Sequence, residues 1–277
     1  MPELPEVETI ARTLLPQVQD HCIRAVSVLC PRVLQTGAFL LPQLAGGRVA
    51  RVFRRGKLLL FSVDCAQNNG TLFLVFHLKM TGRFFMHPAD SPGQKHTRMI
   101  IDMADGGRLF FDDARTFGFC RVMRPEDMDN WPYWATLGPE PLDMDAGQLA
   151  ARLTAVFRGR NTAVKAVLLD QKTVAGIGNI YADESLFQAS IPPDARAGDV
   201  SKIPELAEAL QSILRKSIAE CGSSIRDYRD ALGNAGAFQN SFAVYGRKGQ
   251  LCLRCGAPLQ SARVAGRGTT FCGRCQK

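Results

Sequence analysis

Apolar positions make the first division of the chain. Val7, Ile10, Ala11, Leu14, Leu15 and Val18 recur at intervals that predict an amphipathic helix over residues 5–18, with Pro5 in the first turn, where a missing N–H is no loss. Behind it come short runs rich in β-branched and aromatic residues, at 23–30, 48–54, 57–63, 71–78, 98–103, 108–111 and 117–123. Asp105-Gly106-Gly107 joins two of them as a hairpin turn, and short strands at this frequency predict an antiparallel sandwich or barrel. Pro88 and Pro92 mark 87–94 as a surface loop, while Pro132, Pro139 and Pro141 punctuate 131–142 as an interdomain linker. Beyond it the pattern turns helical, at 146–157, 162–169, 180–187 and 204–221.

A chain of 277 residues suits two domains of ordinary size, and 46% hydrophobic with 22% charged residues excludes wholesale disorder. No apolar run approaches the roughly 20 residues that cross a bilayer. The opening MPELPEVE is acidic where a secretion signal is basic and then apolar, so a soluble intracellular protein without a membrane partner is expected. Gly176-Ile177-Gly178-Asn179 precedes a helix but lacks the third glycine of a dinucleotide fingerprint and the Gly-Lys of a P-loop, so no nucleotide cofactor is expected.

The net charge of +8 is concentrated at the C-terminal end, where residues 226–277 hold nine basic and two acidic side chains. On composition alone, a polyanion-binding face and a solvated basic tail account for this equally well. Cysteine adds to the picture. Cys22, Cys30, Cys65, Cys120 and Cys221 are scattered and read as reduced core residues, whereas Cys252-Leu253-Arg254-Cys255 and Cys272-Gly273-Arg274-Cys275 are two C-x-x-C pairs sixteen residues apart. That spacing is the signature of one four-thiolate zinc site, closed by protein ligands and therefore structural. A disulfide framework lacks the secretion signal it needs, and a redox C-x-x-C lacks its βαβ context.

Three segments together carry a resemblance. Met1-Pro2-Glu3-Leu4-Pro5-Glu6-Val7-Glu8-Thr9, Gly176-Ile177-Gly178-Asn179-Ile180-Tyr181-Ala182-Asp183-Glu184 and the zinc pairs closely resemble the bacterial formamidopyrimidine-DNA glycosylase family. The resemblance implies an α+β fold: an N-terminal antiparallel β-sandwich with its helix over 1–130, a linker over 131–145, a helix-two-turns-helix domain with a lesion-capping loop over 146–240, and a zinc-finger β-hairpin over 241–277. It also implies a monomeric enzyme of the bacterial cytoplasm, working on the nucleoid, that removes oxidised purines such as formamidopyrimidines and 8-oxoguanine from damaged double-stranded DNA. Strand cleavage at the abasic site by β,δ-elimination follows.

Pro2, exposed once Met1 is removed, is implied as the nucleophile that forms a Schiff base with C1′. An α-amino group titrates near about 7.7 to 8, so a useful unprotonated fraction exists at neutral pH. Taken alone, Pro2 reads first as an ordinary helix-permitting residue after the start; the complete PELPEVE string reverses that preference. Glu3 resembles the general acid and base, and Glu6 a supporting acid; Glu3, Glu6 and Glu8 also complement a helix dipole, with Glu8 the most purely structural. Lys57 resembles a lysine that contacts phosphate and assists β-elimination, though strand-edge lysines are commonly solvated. Arg267, between the cysteine pairs at the tip of a zinc-held hairpin, resembles the arginine that reaches the phosphates of the damaged nucleotide.

Met80, Arg115 and Phe117 resemble the residues that fill the gap left by a flipped base, although Met and Phe are common core residues too. Ala114 and Thr116 depart from the family pattern, which has proline and often a basic residue there. His77, His96, Arg115, Arg160, Lys165 and Asn179 are implied DNA contacts; Asn179 also suits a helix cap, and His96 an ordinary loop. Residues 223–242, with Asn234 and Gly236, resemble the loop that closes over the extruded base, and also suit a plain surface loop. Two rival readings remain at this point. An endonuclease VIII-type enzyme for oxidised pyrimidines is opposed by Leu4 and the Arg115/Phe117 pair, and a non-catalytic zinc-ribbon DNA-binding protein has no use for Pro2 beside Glu3.

Overall fold

The computed structural model describes residues 1–65, 70–225 and 228–277. It divides into two compact units, one formed by Met1–Thr136 with Cys221–Gly236 and the other by Leu137–Glu220 with Ala237–Lys277.

The first unit opens with helix α1, Leu4–Val18, whose Val7, Ile10, Ala11, Leu14 and Val18 are buried. Its strands are β1 Ile23–Val28, β2 Leu34–Thr36, β3 Arg48–Arg55, β4 Leu58–Cys65, β5 Gly70–His77, β6 Gly82–His87, β7 Thr97–Met103, β8 Arg108–Asp113 and β9 Phe119–Met123. They form a four-stranded sheet, β1-β7-β8-β6, and a five-stranded sheet, β2-β9-β5-β4-β3. Every pairing is antiparallel except that of the short β2 against β9. Inward-facing Phe61, Phe76, Phe84 and Phe111 pack edge-on and tilted within about 6 Å of one another, joining the two sheets over one core. Strand β6 has no counterpart among the runs that the sequence pattern predicts, and β9 starts two residues later than its run, leaving Phe117 in an exposed loop. Cys65 and Cys120 are core residues as expected, but Cys221 is exposed in a left-handed turn (φ 58°).

Two short helices follow β9: α2 Pro125–Asp129 lies just before the stretch that reads as linker, and α3 Pro132–Ala135 occupies part of it. Each starts on a proline, a residue that punctuates a linker but loses no hydrogen bond in a first helical turn.

In the second unit α4 is Ala146–Phe157, α5 Val164–Leu169, α6 Asn179–Gln188 and α7 Ile203–Ala219. Leu149, Leu153 and Phe157 of α4 and Leu206, Leu210, Ile213 and Leu214 of α7 are buried in its core. Gln211 donates to the Pro141 and Met144 carbonyls at 2.8 and 2.7 Å, holding the incoming chain on α7. The unit ends in a two-stranded hairpin, β10 Gln260–Val264 and β11 Arg267–Phe271. Among the described residues no helix is long and apolar enough to cross a membrane.

Candidate active site and DNA-binding surface

Glu3 is the N-cap of α1, and its amide donates to Glu6 Oε2 at 2.9 Å, one arm of a capping box that fixes the start of the helix. Pro2, Glu3 and Glu6 are all buried. The other Glu6 oxygen accepts the Ser223 amide at 2.8 Å, and Tyr228 Oη donates to the Glu6 carbonyl at 3.4 Å. Glu6 thus ties the helix start to the segment that reads as the capping loop, of which residues 226–227 lie outside the described residues. Arg54 adds a second tie: its Nε meets Glu8 Oε2 at 3.0 Å while Nη1 donates to the Gly56 carbonyl at 3.3 Å. Glu8 is therefore a structural partner, in keeping with its position in the sequence.

Gly56 and Lys57 form the two-residue turn between β3 and β4, with Gly56 at φ 57°. Lys57 is buried and not solvated at a strand edge. In the β4–β5 register Leu58 faces His77, which brings the Lys57 turn and His77 together. His77 is also buried, and its Nδ1 accepts the Lys79 amide at 3.0 Å. Burial first, then the charges of Lys79 and Lys57, push its pKa down to about 3. His77 is consequently a neutral imidazole at working pH, with Nε2 carrying the proton.

Met80, Arg115 and Phe117 are brought together on two adjoining loops. The Arg115 guanidinium lies 4.5 Å from the Phe117 ring centroid, and Nη1 meets Met80 Sδ at 3.2 Å. Met80 is 46% exposed and Phe117 52%, so neither is core. Fully buried Asp113 organises both loops, accepting Gly118 N–H at 2.7 Å, Arg115 N–H at 3.2 Å and the Thr81 hydroxyl. Nothing in the local pattern links this aspartate to the Met80 loop, because Thr81 lies thirty-two residues before it. Thr116 sits at φ 55°, a conformation that costs a β-branched residue strain. His96, half-buried, accepts the Asp113 amide through its carbonyl at 2.9 Å and so adjoins this cluster.

In the second unit, Arg160 is exposed just beyond α4 and shares a groove of about 450 Å³ with Arg152, Arg158, Asp170 and Lys172. Helix α6 starts at Asn179 with Gly178 as its cap, and the Asn179 side chain does not cap but donates to the Gly268 carbonyl at 2.9 Å. Lys165, expected at a phosphate, is instead 0% exposed and paired with Asp183 at 2.6 Å. A cation buried against its own counter-ion has no face left for DNA. Arg267 is exposed and follows the Ala265-Gly266 turn, both residues of which have positive φ, as a tight two-residue hairpin requires.

The four expected zinc ligands converge. The sulfurs of Cys252, Cys255, Cys272 and Cys275 lie within 4.8 Å of one another, with Cys252–Cys275 at 3.9 Å and Cys255–Cys272 at 3.5 Å. Tetrahedral zinc with Zn–S bonds of about 2.3 Å separates its sulfurs by about 3.8 Å, so the donor set fits one ion with no open position. Burial and three neighbouring sulfurs push the Cys275 thiol up to about 12, a repulsion that a bound dication offsets. Glu184 of α6 anchors the approach to the finger, accepting the amides of Ala243, Val244 and Tyr245 at 2.8, 2.9 and 2.7 Å.

Sequence families match in three places: the formamidopyrimidine-DNA glycosylase N-terminal domain over residues 1–120, the formamidopyrimidine-DNA glycosylase H2TH domain over 137–229, and the zinc finger found in FPG and IleRS over 249–277. A relative from Nitratidesulfovibrio vulgaris, named formamidopyrimidine-DNA glycosylase, is 42% identical, with both chains covered in full. Among solved structures, a Lactococcus lactis Fpg variant in complex with Fapy-dG-containing DNA aligns at a TM-score of 0.88 and 37% identity, with both chains fully covered. Lactococcus lactis Fpg with DNA containing an abasic site aligns at 0.87 and 36%, with 99% of each chain covered. With a full-length relative this similar, and matches to both domains and the finger, the chain belongs to the formamidopyrimidine-DNA glycosylase family.

Proposed function

We propose that the protein is a bifunctional DNA glycosylase and abasic-site lyase that excises oxidised purines, formamidopyrimidines and 8-oxoguanine, from duplex DNA. The observation that carries this reading is the start of α1, where Pro2 and Glu3 adjoin on a helix end held by Glu6. After removal of Met1, the Pro2 secondary amine attacks C1′ of the damaged nucleotide, the bond to the base breaks, and an iminium forms. Glu3 protonates the sugar ring oxygen as the ring opens and later takes the C2′ proton, so that the 3′ phosphate leaves. Lys57 holds a phosphate during that elimination, and neutral His77 donates an uncharged hydrogen bond beside it. Arg267 binds the phosphates of the damaged nucleotide and assists departure of the 5′ phosphate.

Met80, Arg115 and Phe117 enter the space vacated by the flipped nucleotide, with Arg115 facing the orphaned base, and so offset an unstacking cost of a few kcal/mol. His96, Arg160 and Asn179 hold the DNA backbone. Residues 223–242 cover the extruded base, with Glu6 as the anchor at one end. The zinc ion carries no chemistry; it keeps the hairpin folded. The protein works as a monomer in the bacterial cytoplasm, on nucleoid DNA.

Incubation with duplexes carrying single formamidopyrimidine, 8-oxoguanine or oxidised-pyrimidine lesions, followed by strand analysis, tests the reading. Preferential excision of the two purine lesions with β,δ-elimination products is expected; a preference for pyrimidine lesions would replace it with the endonuclease VIII type.

A further inference from the structure

The zinc ligands hold the root of the finger, yet Arg267 stands five residues from Cys272, about 17 Å along an extended strand. Apolar burial along that distance is limited to Val264 among the described residues of the two strands. Gln260, Ser261, Ala262 and Arg263 of β10 are all exposed, and an isolated two-stranded ribbon is marginal in water. What holds it is a set of polar contacts on the residues that follow Arg267. Asn179 Nδ2 and Lys165 Nζ reach the Gly268 carbonyl at 2.9 and 3.4 Å; Lys165 Nζ reaches Thr269 Oγ1 at 2.6 Å; and Asp183 Oδ2 accepts the Thr270 amide at 3.2 Å. Thr269 Oγ1 in turn donates to the Arg267 carbonyl at 3.2 Å. A line of contacts thus runs from Asp183 through Lys165 and the Thr269 hydroxyl to the main chain of Arg267, with Asp183, Lys165 and Thr269 all buried.

We propose that Lys165, Asp183 and Thr269 are positioning residues for Arg267, acting through the β11 backbone, and that Lys165 touches no DNA. The inference rests on the reading of Arg267 as a phosphate contact. Physical chemistry favours a positioning role over simple cohesion. A buried lysine–carboxylate pair adds little stability that apolar side chains of the same volume would not supply, but an ammonium has directed donors, and here two of them engage successive residues of one strand. Without that clamp, the tip is free to swing about its zinc-held root, and Arg267 loses its preset geometry.

The decisive comparison is Thr269→Val against Thr269→Ser. Valine keeps the packing volume and loses the hydroxyl; serine loses the methyl and keeps it. A packing role predicts that valine is tolerated better, whereas the clamp predicts the reverse. For Thr269→Val we expect one zinc per chain and a Tm lowered by a few degrees at most, a KM for lesion duplex raised about tenfold with kcat for excision within about twofold, and a salt-dependence slope lowered by about one unit, as in Arg267→Ala. Thr269→Ser should recover most of the loss. The neutral exchange Lys165→Met/Asp183→Asn, which leaves no unpaired buried charge, should reproduce the valine phenotype and add less than about twofold in an Arg267→Ala background. Valine tolerated better than serine, or losses that add fully to those of Arg267→Ala, would overturn the proposal. Wild-type binding and products in Arg267→Ala itself would remove the underlying reading, and this inference with it.

Discussion

The guanidinium of Arg115 lies 4.5 Å from the centre of the Phe117 ring, so the two residues form one exposed surface and not two separate probes. Phe117 gives the arginine a flat apolar face to lie on, and Met80 Sδ accepts from its Nη1. Base flipping and bond breaking are separable in such a design, because an abasic site has no base to unstack. Met80→Ala and Arg115→Ala are each expected to slow excision from paired duplex by about tenfold while leaving strand cutting at a preformed abasic site within about twofold. Equal losses on both substrates, measured in single-turnover assays, would show general destabilisation instead.

An iminium on Pro2 can be reduced to a stable amine, so borohydride should trap the protein covalently on lesion DNA. Retaining Met1 or changing Pro2→Gly should cut the yield by about a hundredfold, whereas Glu3→Gln should impair base excision yet leave cutting of preformed abasic sites. Undiminished trapping with a blocked N-terminus would move the nucleophile to an internal lysine.

Protonation of His77 supplies a pH test. Its folded pKa, near 3, lies below the unfolded value of about 6.5, so the unfolded chain binds the extra proton in between. The contribution of neutral His77 to stability is therefore complete above about pH 6.5 and lost as pH falls through that window, amounting to about 5 kcal/mol at most. Imidazole NMR should find His77 as the Nε2–H tautomer and unchanged between pH 5 and 8; titration near 6.5 would contradict the buried geometry.

Metal removal should act locally. Stripping zinc with a strong chelator, or Cys252→Ser, is expected to abolish duplex binding while the β-sandwich keeps its cooperative thermal transition, since the four sulfur ligands all lie in the finger and the sandwich has a core of its own. Full activity in protein assayed free of metal would refute the structural role.

Features carried by short-range chemistry are legible in the sequence. The C-x-x-C pairs, the helical period of α1 and the strand runs of β3, β4 and β5 each depend on neighbours a few residues away. The placement of Lys165 is not legible in this way, because a lysine in Val164-Lys165-Ala166-Val167 reads by resemblance as a DNA contact until Asp183, on another helix, is seen beside it. Asp113 is hidden in part for the same reason: Arg115 and Gly118 follow it by two and five residues, but Thr81 lies thirty-two residues before it. Strand β6 is masked by its own composition, since Phe84, Phe85 and Met86 run together without the polar alternation of a half-exposed strand.

Strand β10 shows one face of the protein on which sequence is almost free. Ser261 and Ala262 are exposed and substitutions there meet little packing constraint, whereas Gln260 lies against Gly273 and Arg263 donates to the Gly266 carbonyl; the contacts that orient the hairpin fall on β11. The finger can therefore exchange its outer residues, and with them the reach and charge it offers to a polyanion, without refolding. For protein engineering this makes β10 an adjustable edge, suited to tuning how tightly the enzyme grips DNA independently of how it cuts.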